Sequence, residues 1–500
     1  MNLRPFCLWI PVLFIGIIVR PVLAQTSSRP PNVLFIISDD LRPDLGCYGN
    51  QAVKTPNIDR LAREGSLFER AYCQVAVCNP SRSSLLTGLR PDTTGIFDQT
   101  KYVRPQMPDV VTLPQLFKNH GYVCLSMGKV FHQSEKQPGN DPLSWSEPIY
   151  GFGTPYRQWF TKESADIVKE AAEGQPDKPS KRGPPYEASD HPDDDYPDGK
   201  TAQKAIETLQ RVKDQPFFVA VGFVKPHLAF CCPQKYWDMY PADSVALPGN
   251  YHPPKDVPAA ALHTNYELRT YGGVPPEGDV SLETALNLIR GYRACTSFMD
   301  AQVGRVLDEL DRLGLRETTI VVFLGDNGFH LGENGLWTKM TNFERGTHVP
   351  LIISAPHSKT AGGKIPALVE FVDVYPTVAQ LAGLPLPANL EGTSLVPLLN
   401  NPNLPWKSAA FSQYGRGRSS TYRPEKDPMG RSIRTDRYRY TEWRAPGGTL
   451  IGSELYDEKN DPEENVNIAS LPENKDLTAQ LAEKLKAGWR AALPPATNIP

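Results

Sequence analysis

Two pairs of oxygen-bearing side chains stand out because each follows an apolar run. Asp39-Asp40 close the run Asn32 to Ser38 (NVLFIIS), and Asp326-Asn327 follow Thr318 to Leu324 (TTIVVFL) after a single glycine. Adjacent carboxylates repel each other and need a compensating charge. Three carboxylates and an amide oxygen form an all-oxygen donor set, which suits Ca²⁺ or Mg²⁺ rather than Zn²⁺. Either pair alone reads as turn-making and capping by Asp and Asn. Leaving strands at one edge, they could converge, and together with the segments described below they read as a metal site. A third segment, Cys78-Asn79-Pro80-Ser81-Arg82, is locally a buried thiol ahead of a helix started by proline.

These groups need a scaffold that brings them together. Continuous apolar, β-rich runs are strands buried on both faces of a parallel sheet. Asn32 to Ser38, Gly121 to Met127, Phe217 to Phe223, Thr318 to Leu324 and Pro350 to Ser354 have this character. Helical patterns alternate with them at Pro56 to Gly65, Val111 to His120, Thr201 to Lys213 and Ser281 to Leu313. In the first of these Asn57 is the expected cap and Gly65 the stop. The alternation predicts an α/β fold with a mainly parallel sheet. Ligands in such sheets bind beyond the carboxyl ends of the strands, where both acidic pairs lie.

The character changes after about Pro405. Arg431 to Trp443 alternates like an antiparallel pair facing water on one side, and Leu477 to Ala492 reads as a terminal helix. The expected organisation is therefore residues 1–24 as a removable leader, 25–404 as the catalytic domain and 405–500 as a smaller α+β subdomain. Residues 133–200 are rich in Pro, Gly and acid, and Asp193-Asp194-Asp195 within them read as a solvated loop rather than a metal site.

Cys78-x-Pro80-x-Arg82 resembles the core at which exported type I sulfatases have their cysteine oxidised to formylglycine. It continues through Ser83-Ser84-Leu85-Leu86-Thr87-Gly88 as that family's first signature does. Gly121 to His132 (GYVCLSMGKVFH) resembles the second signature. Asn79, Cys124 and Met127 depart from the commonest choices without removing a group the chemistry needs. Asp39 to Pro43, Arg90 to Thr94, Lys225-Pro226-His227, Thr347 to Pro350, Ser432 to Thr435 and Arg437 to Tyr440 are similar to the iduronate-2-sulfatase branch of the family.

The resemblance spans about residues 31–460. It implies an alkaline-phosphatase-like α/β/α sandwich with a smaller C-terminal subdomain. It also implies one Ca²⁺ held by Asp39, Asp40, Asp326, Asn327 and the residue-78 oxygen, and a formylglycine-generating maturase as a partner during biosynthesis. A plain Ser or Cys attacking sulfur would be left as an ester that water cleaves slowly. A hydrated aldehyde at Cys78 carries two oxygens on one carbon. One attacks sulfur and expels the sugar hydroxyl; the other then loses its proton, and collapse to the aldehyde ejects sulfate. The resemblance assigns Arg82 and Lys129 to holding and polarising the hydrate and His132 to deprotonating it. It also assigns His227 to protonating the leaving oxygen, and Lys339 resembles the family's sulfate-binding lysine; cations suit a transferred group that stays anionic throughout. His263, His330 and His348 have weaker claims, as supports.

The implied substrate is a sulfated carbohydrate, a 2-O-sulfated uronic acid or a related polysaccharide residue. One alternative is a phosphonate or phosphate-ester hydrolase of the same superfamily; phosphate differs from sulfate by charge, so a phosphatase calls for more metal charge than the one oxygen-rich set seen here. Another is an inactive glycan-binding relative, against which every reacting residue is present.

Composition narrows the field further. Of 500 residues 22% are charged and 40% hydrophobic, which excludes a disordered chain, a collagen and a polytopic membrane protein. Lys plus Arg number 53 against 56 Asp plus Glu, a net charge of −3. With no basic field, neither nucleic acid nor an anionic membrane is an expected partner. Met1 to Arg4 is short and basic, Phe6 to Val19 is apolar, and Val22-Leu23-Ala24 precedes Gln25, the pattern of a secretory signal peptide. The apolar run is shorter than the roughly 20 residues a spanning helix needs. Export to the periplasm or outside is expected, and the absence of any Asn-x-Ser/Thr acceptor leans towards a bacterial source. Export permits disulfides, but seven cysteines follow the leader, an odd number that leaves at least one thiol unpaired or chemically used.

Overall fold

The run NVLFIIS is apolar throughout because β1 (Asn32–Asp39) has no solvent face. Val33, Phe35 and Ile37 enter one core and Leu34 and Ile36 the other, all at 0% exposure. The computed structural model describes residues 29–132, 140–151, 158–173, 182–356, 358–417 and 421–495, so the expected leader, 1–24, lies outside the described residues. The further strands are β2 (Ser66–Tyr72), β3 (Val123–Gly128), β4 (Tyr186–Ser189), β5 (Phe217–Pro226), β6 (Phe230–Pro233), β7 (Thr319–Gly325) and β8 (His330–Leu331). After them come β9 (Trp337–Thr338), β10 (His348–Ser354), β11 (Lys364–Glu370), β12 (Ala410–Gly415), β13 (Met429–Arg434), β14 (Tyr438–Arg444) and β15 (Leu450–Asp457).

Seven strands form one sheet in the order β11-β2-β10-β7-β1-β5-β3. β7, β1, β5 and β3 run parallel to one another, as do β11 and β2, while β10 is antiparallel to both its neighbours. The mainly parallel sheet is therefore present, with one reversed strand inside it. Helices cover both faces. α1 (Pro56–Glu64), Pro197–Val212 and Leu282–Arg312 supply Leu61, Leu209 and Val303 to one core. α2 (Cys78–Thr87), Leu113–Asn119 and Val374–Leu381 supply Leu85, Phe117 and Val378 to the other. The result is an α/β/α sandwich. β12 to β15 form a separate antiparallel sheet in sequence order, and Ile433, Tyr440 and Leu455 on it pack with Leu481 of the helix Lys475–Ala487.

Two local expectations are corrected. Asn57 does not cap α1. Its Nδ2 donates to Asp300 Oδ2 at 2.8 Å, and Asp300 Oδ1 accepts the Ile58 N–H at 2.8 Å. The cap thus arrives from the long helix Leu282–Arg312. The terminal helix stops at Ala487, because Gly488 takes φ +76°, and Trp489–Ala492 is a separate 3-10 turn. The acidic triplet is held by ion pairs: Lys235 reaches Asp193 and Arg305 reaches Asp194, each at 2.6 Å. The seven cysteines among the described residues are all free thiols. No helix among the described residues is long and apolar enough to cross a membrane.

Candidate active site

Four neighbouring parallel strands end at one edge of the sheet, and each delivers a reactive group there. β7 leads into Asp326 and Asn327, β1 ends on Asp39 with Asp40 following, β5 leads into His227 and β3 into Lys129. The chain can leave β3 so abruptly because residue 128 is glycine. Gly128 has φ +71°, and a Cβ there would lie 2.0 Å from the Gly222 carbonyl oxygen of β5. Asp40 also takes a left-handed turn, with φ +60°. The fifth contribution is Cys78 at the first position of α2, where unpaired backbone N–H groups and the helix dipole favour negative charge.

Asp39, Asp40, Cys78 and Asp326 are all buried and place one donor atom each within 4.8 Å of one another. Three cations lie against the carboxylates. Arg82 donates from Nε to Asp326 Oδ2 at 2.7 Å and from Nη2 to Asp39 Oδ1 at 3.2 Å, and from Nη1 to the carbonyls of Lys129 and Val130. These bonds use four of its five N–H groups. Lys129 Nζ lies 2.5 Å from Asp39 Oδ2, and Lys339 Nζ 2.6 Å from Asp40 Oδ2. Ser81 donates to the Asp326 carbonyl, tying α2 to the end of β7.

Asn327 supplies the test of whether this set fits a cation. Its Nδ2 donates to Asp40 Oδ1 at 2.9 Å and to the Gly328 carbonyl at 2.8 Å, leaving its Oδ1 buried with no hydrogen-bond partner. A buried carbonyl oxygen beside carboxylates and without a donor fits an oxygen-seeking cation. The carboxylates agree. Burial, only partly offset by Lys339, pushes Asp40 up to about 7. Burial likewise raises Asp326 against the pull of Arg82. Asp39 is different: burial pushes it up, but Lys129, His227 and Arg82 outweigh that and hold it well below the ordinary range. The Cys78 thiol is raised well above its ordinary value by burial and by Asp39, so as a cysteine it is a poor nucleophile near neutrality.

The two histidines flank the acidic centre. His132 follows the Gly128-Lys129 turn, and its Nδ1 is enclosed without a partner. Burial and then Lys129 push the ring down to about 3, which leaves it neutral. His227 places Nδ1 2.5 Å from the Leu228 carbonyl and Nε2 3.7 Å from Asp40 Oδ2. Burial and then Lys339 hold this ring well below its ordinary value.

Sequence reasoning missed two carboxylates here. Glu267, on the single-turn helix Tyr266–Arg269, lies 3.4 Å from His227 Nε2 and 3.2 Å from Lys339 Nζ. Asp198 accepts the N–H groups of Val224 and Lys225 at 2.8 Å each, fixing the end of β5 from which His227 projects. The remaining histidines are supports. His330 bonds Thr341 Oγ1, His348 the Glu69 carbonyl, and His263 accepts the Asn265 N–H.

This arrangement meets known proteins at the level of the whole chain. The sulfatase family model matches residues 31–384, which include every residue named above.

The chain belongs to the sulfatase family.

It is accordingly a sulfuric ester hydrolase. A second family model, N-sulphoglucosamine sulphohydrolase, C-terminal, matches residues 332–490 of this sulfatase and covers its antiparallel sheet. Iduronate 2-sulfatase of Homo sapiens is 34% identical over 91% of this chain and 94% of its own. An ulvan-active sulfatase of Formosa agariphila is 28% identical over 93% of this chain and 82% of its own. Among solved structures, phosphonate monoester hydrolase of Agrobacterium radiobacter superposes with a TM-score of 0.73 at 26% identity, covering 92% of this chain and 95% of that one.

Proposed function

We propose that this sulfatase is an exported enzyme that removes a sulfate ester from a carbohydrate, a 2-O-sulfated uronic acid or a related polysaccharide residue. In this reading Cys78 is oxidised to formylglycine by a maturase, and one Ca²⁺ is held by Asp39, Asp40, Asp326, Asn327 and the residue-78 oxygen. The observation that carries it is the convergence of Cys78 with Asp39, Asp40 and Asp326 in a sulfatase-family chain. The names of the human and Formosa relatives support a sulfated glycan as substrate.

When bound, the cation would supply Lewis acidity to an oxygen at residue 78. The chain's own residues do the rest. Arg82 and Lys129 lock Asp39 and Asp326 in place and keep positive charge beside residue 78. The enclosed Nδ1 of the neutral His132 is an acceptor for the proton released there. Lys339 offers its ammonium to the sulfate oxygens, and His227 Nε2 gives a proton to the departing sugar oxygen.

Charge arithmetic supports a singly charged substrate. Asp39, Asp40, Asp326 and Glu267 are buried against Arg82, Lys129 and Lys339. With a divalent cation bound and all seven of these groups ionised, the balance would be a single positive charge, which a sulfate monoester neutralises and a dianionic phosphate monoester overshoots. A monoanionic phosphonate ester would also satisfy that balance. The deciding experiment therefore offers 2-O-sulfated uronic acid disaccharides, aryl sulfates, phosphate monoesters and phosphonate monoesters to the metal-loaded, matured enzyme. Sulfate release from the disaccharide at the highest kcat/KM is expected. A preference for either phosphorus ester would overturn the reading.

A further inference from the structure

Glu267 Oε1 lies 3.4 Å from His227 Nε2 and 3.4 Å from Lys339 Nζ, and its Oε2 lies 3.2 Å from the same ammonium. It is 8% exposed, and it comes from the short helix Tyr266–Arg269, outside the strand ends that build the acidic centre. Asp40, the other carboxylate within ion-pair reach of Nε2 among the described residues, is engaged by Lys339 at 2.6 Å and by Asn327 at 2.9 Å. Its nearest approach to His227 is 3.7 Å. Glu267 is thus the nearer carboxylate to Nε2 and belongs to no metal set.

The geometry of the imidazole makes that contact consequential. Nδ1 sits 2.5 Å from the Leu228 carbonyl, an acceptor only, so Nδ1 carries a hydrogen. A proton handed to a leaving group must then come from Nε2, the atom that faces Glu267. We propose that Glu267 is a positioning residue for leaving-group protonation: its carboxylate faces Nε2, holds the doubly protonated His227 ring in place until the departing oxygen takes the Nε2 proton, and anchors Lys339 beside it. This rests on the role of His227 given above. Glu267 touches neither sulfur nor the residue-78 oxygen in this scheme and acts through its two neighbours.

The test uses matured, Ca²⁺-loaded full-length enzyme and a series of aryl sulfates graded from a good leaving group, 4-nitrophenol, to a poor one, phenol. Glu267→Gln keeps the shape and removes the charge. It should lose about 10–100-fold in kcat on phenyl sulfate, a part of the 10²–10⁴ that general acid catalysis supplies. On 4-nitrophenyl sulfate the loss should stay within about threefold. Glu267→Asp should recover part of the loss on phenyl sulfate. In a His227→Ala background Glu267→Gln should add no further leaving-group dependence. Equal losses across the series in Glu267→Gln would overturn the proposal, as would a selective loss that persists in the double variant. His227→Ala is read separately: if it shows no leaving-group dependence, the acid role of His227 fails, and a selective effect of Glu267→Gln then cannot run through it and overturns the proposal too.

Discussion

Asn327 donates from Nδ2 to Asp40 Oδ1 at 2.9 Å, and this one bond commits the amide so that its carbonyl oxygen is buried without a donor. In the proposed site this oxygen and the Asp40 carboxylate are two of the five cation ligands. Asn327→Leu should weaken Ca²⁺ binding about 10–100-fold, the usual cost of losing one oriented group at a metal, while the fold is retained. Calorimetric titration of the metal-stripped protein measures it. Exhaustive chelation should abolish turnover and added Ca²⁺ restore it; turnover that survives chelation would remove the metal from the mechanism.

Intact-peptide mass spectrometry should find an aldehyde in place of the thiol at residue 78 when the protein is made beside a maturing enzyme. Activity should track the converted fraction. Cys78→Ser should be inactive or hold a stable sulfate ester, because Ser lacks the second oxygen on carbon. A fully active preparation with an unmodified thiol would sink the mechanism.

His227 and His132 should fail differently. His227→Ala should lower glycan sulfate hydrolysis by about 10²–10⁴ and damage activated aryl sulfates much less. In the proposed scheme His132 acts on residue 78 after the leaving group has gone, so His132→Ala should block turnover of both substrates and allow at most one burst of product. Stopped-flow product traces separate the two.

Acid should release one buried ion cluster. Glu370 accepts Arg90 Nη1 and Nη2 at 2.8 and 2.7 Å and Lys407 Nζ at 2.7 Å. Burial opposes the Glu370 charge, but Arg90 and Lys407 outweigh it and hold the carboxyl at about 2, below its ordinary 4.5. The unfolded chain therefore binds this proton more tightly. The stabilisation is complete above the unfolded value, declines as pH falls, and is gone below about 2. Arg90→Met should cost about 1–3 kcal/mol near neutrality, where Glu370 loses one of its two cationic partners and keeps Lys407. Urea unfolding should show the gap to wild type narrowing as pH falls through that window; a gap that stays constant would contradict the assignment.

Much of this site was legible because its groups follow apolar strands. Asp39-Asp40 and Asp326-Asn327 sit where NVLFIIS and TTIVVFL run out, and strand ends converge in a parallel sheet. Glu267 was not legible: it stands on one helical turn in a polar stretch with no periodicity, and its partners are distant in the chain. Asp300 escaped notice for the same reason, since it serves α1 from 243 residues away. Two strands of the central sheet were also missed. β2 carries Glu69-Arg70 in its middle, and β11 carries Pro366, which is tolerable because β11 lies at the sheet edge.

That remote cap gives a test of its own. Asp300 is 1% exposed and accepts from both the backbone and the side chain of Asn57 and from the backbone of Ile58. Asp300→Ala should destabilise the fold by about 1–3 kcal/mol, through orphaned donors at the start of α1. Thermal unfolding measures it, and kcat on aryl sulfates should be unchanged.

Every residue of α2 from Cys78 to Thr87 is buried, and Cys78 is 0% exposed. For the oxidation proposed at Cys78 this sets an order of events. A maturing enzyme must reach the thiol while Cys78-x-Pro80-x-Arg82 is still an open peptide, since after α2 docks against the sheet no second protein can touch it. Conversion and folding therefore race, and the specific activity of a preparation is a ratio of two rates fixed at the moment of synthesis. A molecule that folds first is stable, correctly shaped and permanently idle.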